Sequence, residues 1–144
     1  MNRLLAAAAV GIVLGTAACS DSLTFQIAAL EVAPSSAQAG DSVGFEFMLI
    51  VIPSRTVDLT AFIDGEIHHT QTITGAFNGP FTWTLDDAAD LIDQYGTGLH
   101  TAQVRAVDRE SNRSVETSPV SFELVAAAPP QAAKHEQLPN TVPR

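Results

Sequence analysis

The sequence predicts an all-β fold, an antiparallel two-sheet sandwich of about seven strands with one short helix in the fifth connection. Three observations support this prediction. Short runs of alternating β-branched and aromatic residues fill residues 25–125, and such alternation is typical of strands with one buried face. Clusters of Gly, Pro and Asp separate these runs, as expected of turns. Cysteine occurs once, so a disulfide within the chain is excluded, and the 46% hydrophobic content must supply the core.

The first four strands follow from the alternation and its breaks. We expect them at Phe25–Val32, Ser42–Ile52, Val57–Ile63 and Glu66–Thr74. In the second strand every other residue from position 43 to position 51 is apolar, so one face turns inward. The Asp64-Gly65 pair between the third and fourth strands is a strong signal for a tight hairpin turn.

Three further strands and the helix complete the predicted set. The strands are expected at Phe81–Leu85, Leu99–Asp108 and Val115–Val125. Pro119 makes the last one an edge or bulged strand, because proline cannot donate a ladder hydrogen bond. Between the fifth and sixth strands, Asp86–Gly96 has aspartates early, alanines inside and glycine at the end. This order predicts a short helix that crosses between the sheets and closes one end of the core.

The sixth predicted strand carries a family resemblance. Gly98–Asp108 combines a glycine, a histidine, alternating valines, an alanine and an aspartate. Together with the early turn at Gly40 and the hairpin at Asp64, it resembles bacterial immunoglobulin-like domains. The resemblance implies an immunoglobulin-like sandwich, and a fibronectin III-like topology stays open. The chain departs from antibody-type domains because it has no cysteine pair and because Trp83 lies on the fifth predicted strand.

The N-terminus has the three parts of a secretory signal peptide. Met1–Arg3 gives a positive start, Leu4–Leu14 is an apolar run, and small residues precede Cys19. A cysteine in this place resembles a bacterial lipoprotein signal, in which the cysteine is acylated and becomes the first mature residue. The family motif prefers a branched aliphatic residue three positions earlier, where this chain has Thr16. The alternatives are an ordinary cleaved signal with a free thiol, or an uncleaved membrane helix, for which the run is short.

These segments divide the chain into four parts. Residues 1–18 are the predicted signal peptide, 19–24 a lipid-anchored linker, 25–125 the immunoglobulin-like domain and 126–144 a tail rich in alanine and proline. The tail has no aromatic residue and no periodicity, so we expect it to be disordered or extended on its own. Ser20 stands where an aspartate would favour the inner membrane by enterobacteria-like sorting. The predicted location is therefore the outer membrane, with the domain facing the periplasm.

The placement of charge suggests a contact surface. A formal net charge of −9 argues against nucleic-acid binding, which needs a basic surface. Alternate turns of an immunoglobulin-like topology lie at opposite ends of the sandwich, so Arg55, Arg109 and Arg113 should share one end. The carboxylates of Asp41, Asp64, Glu66 and residues 86–93 should share the other end. Because the first strand starts at the arginine end, the three arginines are candidate contacts with anionic headgroups or a membrane partner. The alternative is scattered surface charge.

No residue carries a catalytic signature, and we expect no cofactor or metal. The chain has no Gly-x-Ser-x-Gly elbow to present a nucleophile. His68 and His69 are neighbours on a strand and point to opposite faces, which predicts a solvated strand. The aspartates of residues 86–93 lack the alternating ligands and the turn glycine of a calcium loop. His100 has inward parity, and the resemblance implies a structural histidine that bonds the backbone; Trp83 aligns with apolar neighbours as a buried structural residue.

Together these features predict a non-enzymatic, lipid-anchored envelope protein that acts as an interaction module. The favoured form is an accessory or structural subunit of a larger membrane or periplasmic assembly, attached to the membrane through Cys19 and bound to one or more protein partners. This choice rests on fold-level analogy, because a fold hosts many functions. The alternative is a carbohydrate-binding or surface-adhesion module, which would need exposed aromatic residues on one face.

Overall fold

A computed structural model describes residues 22–131 of the chain. This range contains, in order, β1 (Thr24–Ala33), β2 (Ser36–Gln38), β3 (Ser42–Ile63), β4 (Glu66–Asp87), α1 (Ala88–Tyr95), β5 (Gly98–Asp108), β6 (Ser114–Glu116) and β7 (Val120–Val125). The predicted signal peptide, Cys19 and residues 132–144 lie outside the described residues. Residues 126–131 are exposed and belong to no strand or helix.

The strands form an immunoglobulin-like sandwich of two sheets, which confirms the predicted fold class. Sheet I consists of β1, the N-terminal half of β3 and the C-terminal half of β4. Sheet II consists of the N-terminal half of β4, the C-terminal half of β3, β5, β7 and β2, with β6 beside β5. All strand pairs are antiparallel except β2 with β7, which is parallel.

β3 is one strand that serves both sheets, where the sequence predicted the separate strands Ser42–Ile52 and Val57–Ile63. It is 22 residues long. Its pairing with β1 extends to Ile52, and its pairing with β5 begins at Val57. The ladder with β4 skips residues 52–54, so Pro53 lies where no ladder hydrogen bond is required of it. A proline that would end a strand in a flat sheet thus marks the crossing between two sheets.

β4 likewise joins the predicted strands Glu66–Thr74 and Phe81–Leu85 into one strand of 22 residues. The connection from β3 consists of Asp64 and Gly65, with φ of 52° and 81°. These are the left-handed values that a two-residue type I′ turn requires. Among the described residues β4 pairs with β3 alone, so it forms an edge of both sheets.

The core lies between the sheets, and β3 is at its centre. The inward positions of β3, the odd-numbered residues 43–51 and 57–63, are each at most 1% exposed. Phe47 stacks on Phe81 of β4 with ring centroids 5.3 Å apart. Phe25 of β1 and Phe122 of β7 are each 1% exposed. Burial of one such side chain contributes about 1.5–3 kcal/mol, so the alternation read from the sequence supplies the main stabilising term.

Helix α1 lies in the predicted connection and is shorter than the predicted Asp86–Gly96. Asp87 caps its N-terminus, because the carboxylate accepts a hydrogen bond from the Ala89 N–H at 2.7 Å. Gly96, with φ of 87°, ends it. Leu91 is fully buried, so the helix closes one end of the core.

The final predicted strand, Val115–Val125, is instead two strands, β6 and β7. Pro119 lies in the gap and offers no N–H to a ladder. The buried Thr117 bridges this gap, because its N–H donates to the Val104 carbonyl at 2.9 Å and its Oγ1 accepts from the Val104 N–H at 3.1 Å. Its carbonyl accepts from the Gln103 side chain at 2.9 Å. A threonine hydroxyl thus takes the place of a backbone acceptor where the strand breaks.

The hairpin turn gives a first testable expectation. Gly65→Ala places a Cβ in a left-handed conformation, which we expect to cost about 1 kcal/mol of unfolding free energy. Gly79→Ala is the matched control, because no heavy atom lies within 4 Å of an added Cβ and its φ is not left-handed; its stability should be unchanged or slightly higher. Urea unfolding of the two variants measures the difference. An equal loss in both would contradict the assigned turn.

Candidate functional site

Three arginines lie at one end of the sandwich, which we call the arginine end. Arg55, at the crossing of β3 between the sheets, forms an ion pair with Glu110. Arg109 follows β5, and its N–H donates to the Thr56 carbonyl at 3.0 Å. The Arg113 carbonyl accepts a hydrogen bond from the last N–H of β5 at 2.9 Å. The crossing between the two halves of β3 and the loop after β5 therefore bring together the three arginines that the sequence predicted at one end.

The first described strand also begins at the arginine end. Thr24, the first residue of β1, pairs with Ile52, which precedes Arg55 closely in the sequence. Ile52 is 43% exposed. The chain therefore enters the domain beside an exposed aliphatic side chain and the arginine loops.

Carboxylates neutralise two of the three arginines. Arg109 Nε donates to Asp58 at 2.8 Å and Nη2 donates to the Thr72 hydroxyl at 3.2 Å, while that hydroxyl donates to Asp58 at 2.6 Å. Hydrogen bonds from Arg109 and Thr72 lower the pKa of Asp58, and the same contact raises the pKa of Arg109. Arg55 is paired with Glu110. The arginine end therefore carries little net positive charge, and attraction to anionic headgroups is correspondingly small.

The opposite end, which we call the acidic end, holds carboxylates that organise turns. Asp87 Oδ1 accepts from the Gly40 N–H at 3.3 Å, in addition to capping α1. The Asp41 carboxylate accepts from the Gln38 N–H at 2.9 Å, and its carbonyl accepts from the Ala88 N–H at 2.8 Å. These contacts join the turn after β2 to the start of α1.

His100 lies buried at the acidic end, at 6% exposure. Its Nδ1 is 2.7 Å from Asp64 Oδ2, and its Nε2 is 3.1 Å from the Gly96 carbonyl. Both partners are hydrogen-bond acceptors. The rings of Tyr95 and Phe122 pack against it at centroid distances of 6.3 and 5.8 Å. The structure therefore places His100 between the hairpin turn, the end of α1 and β7.

Asp64 connects the hairpin turn to β5. Its N–H donates to the Thr101 carbonyl, and its carboxylate accepts from the Thr101 N–H, both at 2.9 Å. Burial raises the pKa of Asp64, but the hydrogen bonds from His100 and Thr101 outweigh burial and leave the pKa below its ordinary value. The ionised carboxylate is therefore the form that the folded domain stabilises.

Acid is expected to weaken the acidic end through Asp64. Because its folded pKa is lowered, its contribution to stability is present above the unfolded pKa of about 4 and is lost as the pH falls through the folded pKa. We expect Asp64→Asn to lower stability at neutral pH and to flatten the loss of stability in acid. Part of the loss of stability in acid should remain in this variant, because the pKa of Asp58 is also lowered in the folded domain.

Urea unfolding at a series of pH values from 7 downwards, with Trp83 fluorescence as the signal, measures this effect as a change in the midpoint concentration of urea. The control is Glu31→Gln, which alters an exposed carboxylate on β1 and should leave the profile unchanged. Identical acid profiles for Asp64→Asn and the wild type would contradict the assignment.

His68 is packed, and the predicted solvated strand is wrong for this residue. Its side chain is 6% exposed, its Nε2 lies 2.9 Å from Asp86, and its Nδ1 lies 3.0 Å from the Tyr95 hydroxyl. The Asp86 carboxylate is an acceptor, whereas the Tyr95 hydroxyl can donate or accept. A register shift makes His68 the extra residue opposite the Ala61–Phe62 step, and it thereby packs beside α1. Burial raises the pKa of Tyr95, and the nearby Glu66, Asp64 and Asp86 carboxylates raise it further.

Trp83, which is buried, contacts the exposed His69 of the same strand. Trp83 is 6% exposed and pairs across the strands with Phe45. The His69 ring meets the indole edge-on at 5.2 Å. Trp83 therefore lies where the sequence analysis placed it, with little surface left for a ligand to stack on.

Neither a metal centre nor a membrane span emerges from the part of the chain that the structure covers. Within residues 22–131, His, Cys, Asp and Glu side chains form no group of three or more that could hold a metal ion. In the same range α1 is too short, and no other helix is long and apolar enough, to cross a membrane.

Comparison with known proteins gives weak similarities. No protein-family model matches the chain, and no curated protein is significantly similar to it. A CARDB domain from Pyrococcus furiosus, solved in complex with di-metal ions, superposes with a TM-score of 0.41 at 14% identity, covering 73% of this chain and 89% of its own. A PKD domain of a peptidase from a Thermoplasmatales archaeon gives 0.40 at 12% identity, covering 74% and 100%. Scores this low carry no argument about this chain, so its fold class rests on its own strand pairing.

Proposed function

We propose that this chain is a lipid-anchored, non-catalytic interaction module of the bacterial cell envelope, and that it serves as an accessory or structural subunit of a larger membrane or periplasmic assembly. The observation that carries the proposal is Cys19, the only cysteine, which follows an apolar run and small residues and precedes β1 by a short linker. Several acyl chains on one residue hold a protein stably at a membrane, whereas one chain binds marginally.

The length of the linker supports a contact near the membrane. Residues 19–24 span roughly 20 Å at most when fully extended. The arginine end, where β1 begins, then stays close to the bilayer. Because Arg55 and Arg109 are already paired with carboxylates, this end is suited to a protein partner more than to bare headgroups.

The opposite end of the domain supports an outward reach. The last residue of β7, Val125, pairs with Gln38 of β2, and Gln38 lies beside Asp41 at the acidic end. Residues 126–131 continue from there and are exposed. A module anchored at one end and extended at the other can hold a partner at a fixed distance from the membrane.

The alternative, a carbohydrate-binding or adhesion module, receives less support. The large hydrophobic side chains that are exposed within residues 22–131 are aliphatic: Met48, Ile52, Ile67, Leu99 and Val125. Trp83, the chain's one tryptophan, is 6% exposed. Sugar rings stack on exposed aromatic faces, and the described surface offers little of this kind.

The intact mass of the full-length protein extracted from native membranes tests the anchoring. The expected mass is that of a chain beginning at Cys19 plus its acyl groups. A mass equal to the complete 144-residue chain, or to a cleaved chain without acyl groups, would contradict the proposal.

A further inference from the structure

One stretch of sheet edge lacks the features that protect edges from pairing. Between His69 and Gly75, β4 pairs with β3 in unbroken register, from Ala61 opposite His69 to Arg55 opposite Gly75. No other strand of residues 22–131 covers its second side. Five of these seven residues are exposed, and the remaining two, Ile73 and Gly75, are half-buried. An edge of this kind presents a row of free N–H and C=O groups to another chain.

The other edges of the sandwich are protected. β1 has a register shift between Ala28 and Glu31, with Ala29 at a left-handed φ of 54°. β2 and β6 have only three residues each. The C-terminal half of β4 contains Pro80, which lacks an N–H. Bulges, short strands and prolines are the usual means of blunting an edge, and His69–Gly75 contains none of them and no charged Asp, Glu, Lys or Arg.

We propose that the His69–Gly75 edge binds an extended segment of a partner protein, which adds to sheet II as a further antiparallel strand. Main-chain hydrogen bonds supply affinity in this mode, and alternate side chains supply specificity. The outward side chains are Thr70, Thr72 and Thr74, opposite Thr60, Asp58 and Thr56 of β3. Uncharged β-branched residues on the partner pair favourably with such threonines across strands.

Charge at the two ends of the edge sets the direction of the partner. The hairpin end of β4 carries the carboxylates of Asp64 and Glu66. Asp86, near the C-terminal end of the same strand, comes close to this end because it contacts His68 at 2.9 Å. Towards the other end of the edge, Arg109 and Asp58 neutralise each other. An antiparallel segment places its C-terminal residues beside the hairpin. The fitting segment therefore has an uncharged, β-branched centre followed by Lys or Arg.

This requirement disfavours two other occupants. β4 contains no Lys or Arg. A second copy of this strand therefore has no positively charged side chain to pair with the carboxylates at the hairpin. The chain's own residues 126–144 include four prolines, which cannot donate to a ladder. The inference rests on the proposed function only in treating the domain as an interaction module, and it does not depend on the anchor.

A peptide titration tests the charge requirement. The full-length chain in detergent micelles is titrated, by fluorescence anisotropy, against a labelled peptide of alternating threonine and valine with two C-terminal lysines. A second peptide has the same residues with both lysines at the N-terminus. We expect the first to bind more tightly, and Glu66→Gln to weaken it roughly two- to fivefold, as for one exposed ion pair. Glu31→Gln, on β1, is the matched control and should have no effect.

Proline variants test the edge itself. N–H groups of adjacent strand residues point to opposite sides, so one of Gln71→Pro and Thr72→Pro removes an outward N–H and leaves the ladder with β3 intact. That variant is recognised because its Trp83 fluorescence and urea midpoint stay close to those of the wild type. We expect it to bind the first peptide about tenfold more weakly, since one hydrogen bond and the fit of the added strand are lost.

Three results would overturn the inference. They are failure of both peptides to bind, equal binding by the folded proline variant, and sedimentation of the full-length chain as a dimer that this variant converts to monomers. The last result would assign the edge to a second copy. Cys19→Ser should bind the peptide as the wild type does, so failure of the anchor and failure of the edge are distinguishable.

Discussion

Replacement of Cys19 by serine is expected to release the protein from the membrane into the soluble periplasmic fraction. The hydroxyl of serine accepts no thioether-linked lipid, so the chain loses the acyl groups that hold it at the bilayer. The predicted effect is a loss of nearly all membrane-bound protein, because the paired arginines leave little electrostatic attraction to replace the lipid. Fractionation of cells that produce the full-length chain, followed by immunoblotting, measures it.

Ser20→Ala is the matched control for this experiment, because it changes the neighbouring hydroxyl and keeps the thiol. Its membrane-bound fraction should equal that of the wild type. Retention of Cys19→Ser on membranes after a carbonate wash would mean that the apolar N-terminal run stays in place or that the domain binds the membrane by itself. Either finding would contradict the expected release.

The second large expected effect is the loss of stability in Phe45→Ala. Phe45 is fully buried on β3, between Val32 of β1 and Trp83 of β4. Truncation of a buried phenylalanine removes its transfer free energy and leaves a cavity, at a cost of about 3–5 kcal/mol. The total free energy of unfolding of domains of this size is about 5–15 kcal/mol. The variant should therefore lose a large part of its stability at room temperature.

Glu46→Ala is the control for Phe45→Ala, since Glu46 is the next residue on the same strand and is exposed. Its unfolding free energy should change by about 0.5 kcal/mol or less. Urea unfolding followed by Trp83 fluorescence gives both values. Similar midpoints for the two variants would contradict the assigned inward face of β3.

The strands could be predicted from the sequence because the buried face of a sandwich has a strict period of two. The inward residues of β3 and β5 are those that the alternation indicated. That β3 and β4 are each one continuous strand was harder to predict. Pro53 and the Gly79-Pro80 pair look like strand ends in the sequence, yet β3 and β4 continue past them while changing from one sheet to the other.

The side-chain contacts at the two ends were only partly predictable. The topology of the predicted strands was enough to group the arginines at one end. Their ion pairs were not predictable, because Arg55 is separated from Glu110 by 55 positions in the sequence and Arg109 from Asp58 by 51 positions. Such contacts depend on loop conformation, which local patterns do not encode. His68 was missed because a single register shift packs it beside α1, and a shift of one residue reverses the face of a strand.

The unprotected edge is only partly visible in the sequence. Residues 70–74, Thr-Gln-Thr-Ile-Thr, alternate threonine with longer side chains and contain neither charge nor proline. Such a run predicts a strand. It does not reveal an edge, because edge position depends on which strands pair, and the continuous β3–β4 ribbon decides that pairing.

The most direct test of the central claim is to isolate the full-length protein from gently solubilised native membranes through a C-terminal tag and to measure what co-migrates. The account predicts a stoichiometric complex with a protein partner, containing the chain with an acylated Cys19. Recovery of the chain as a lone lipid-modified monomer would contradict the role of a structural or accessory subunit and would favour ligand binding or adhesion instead.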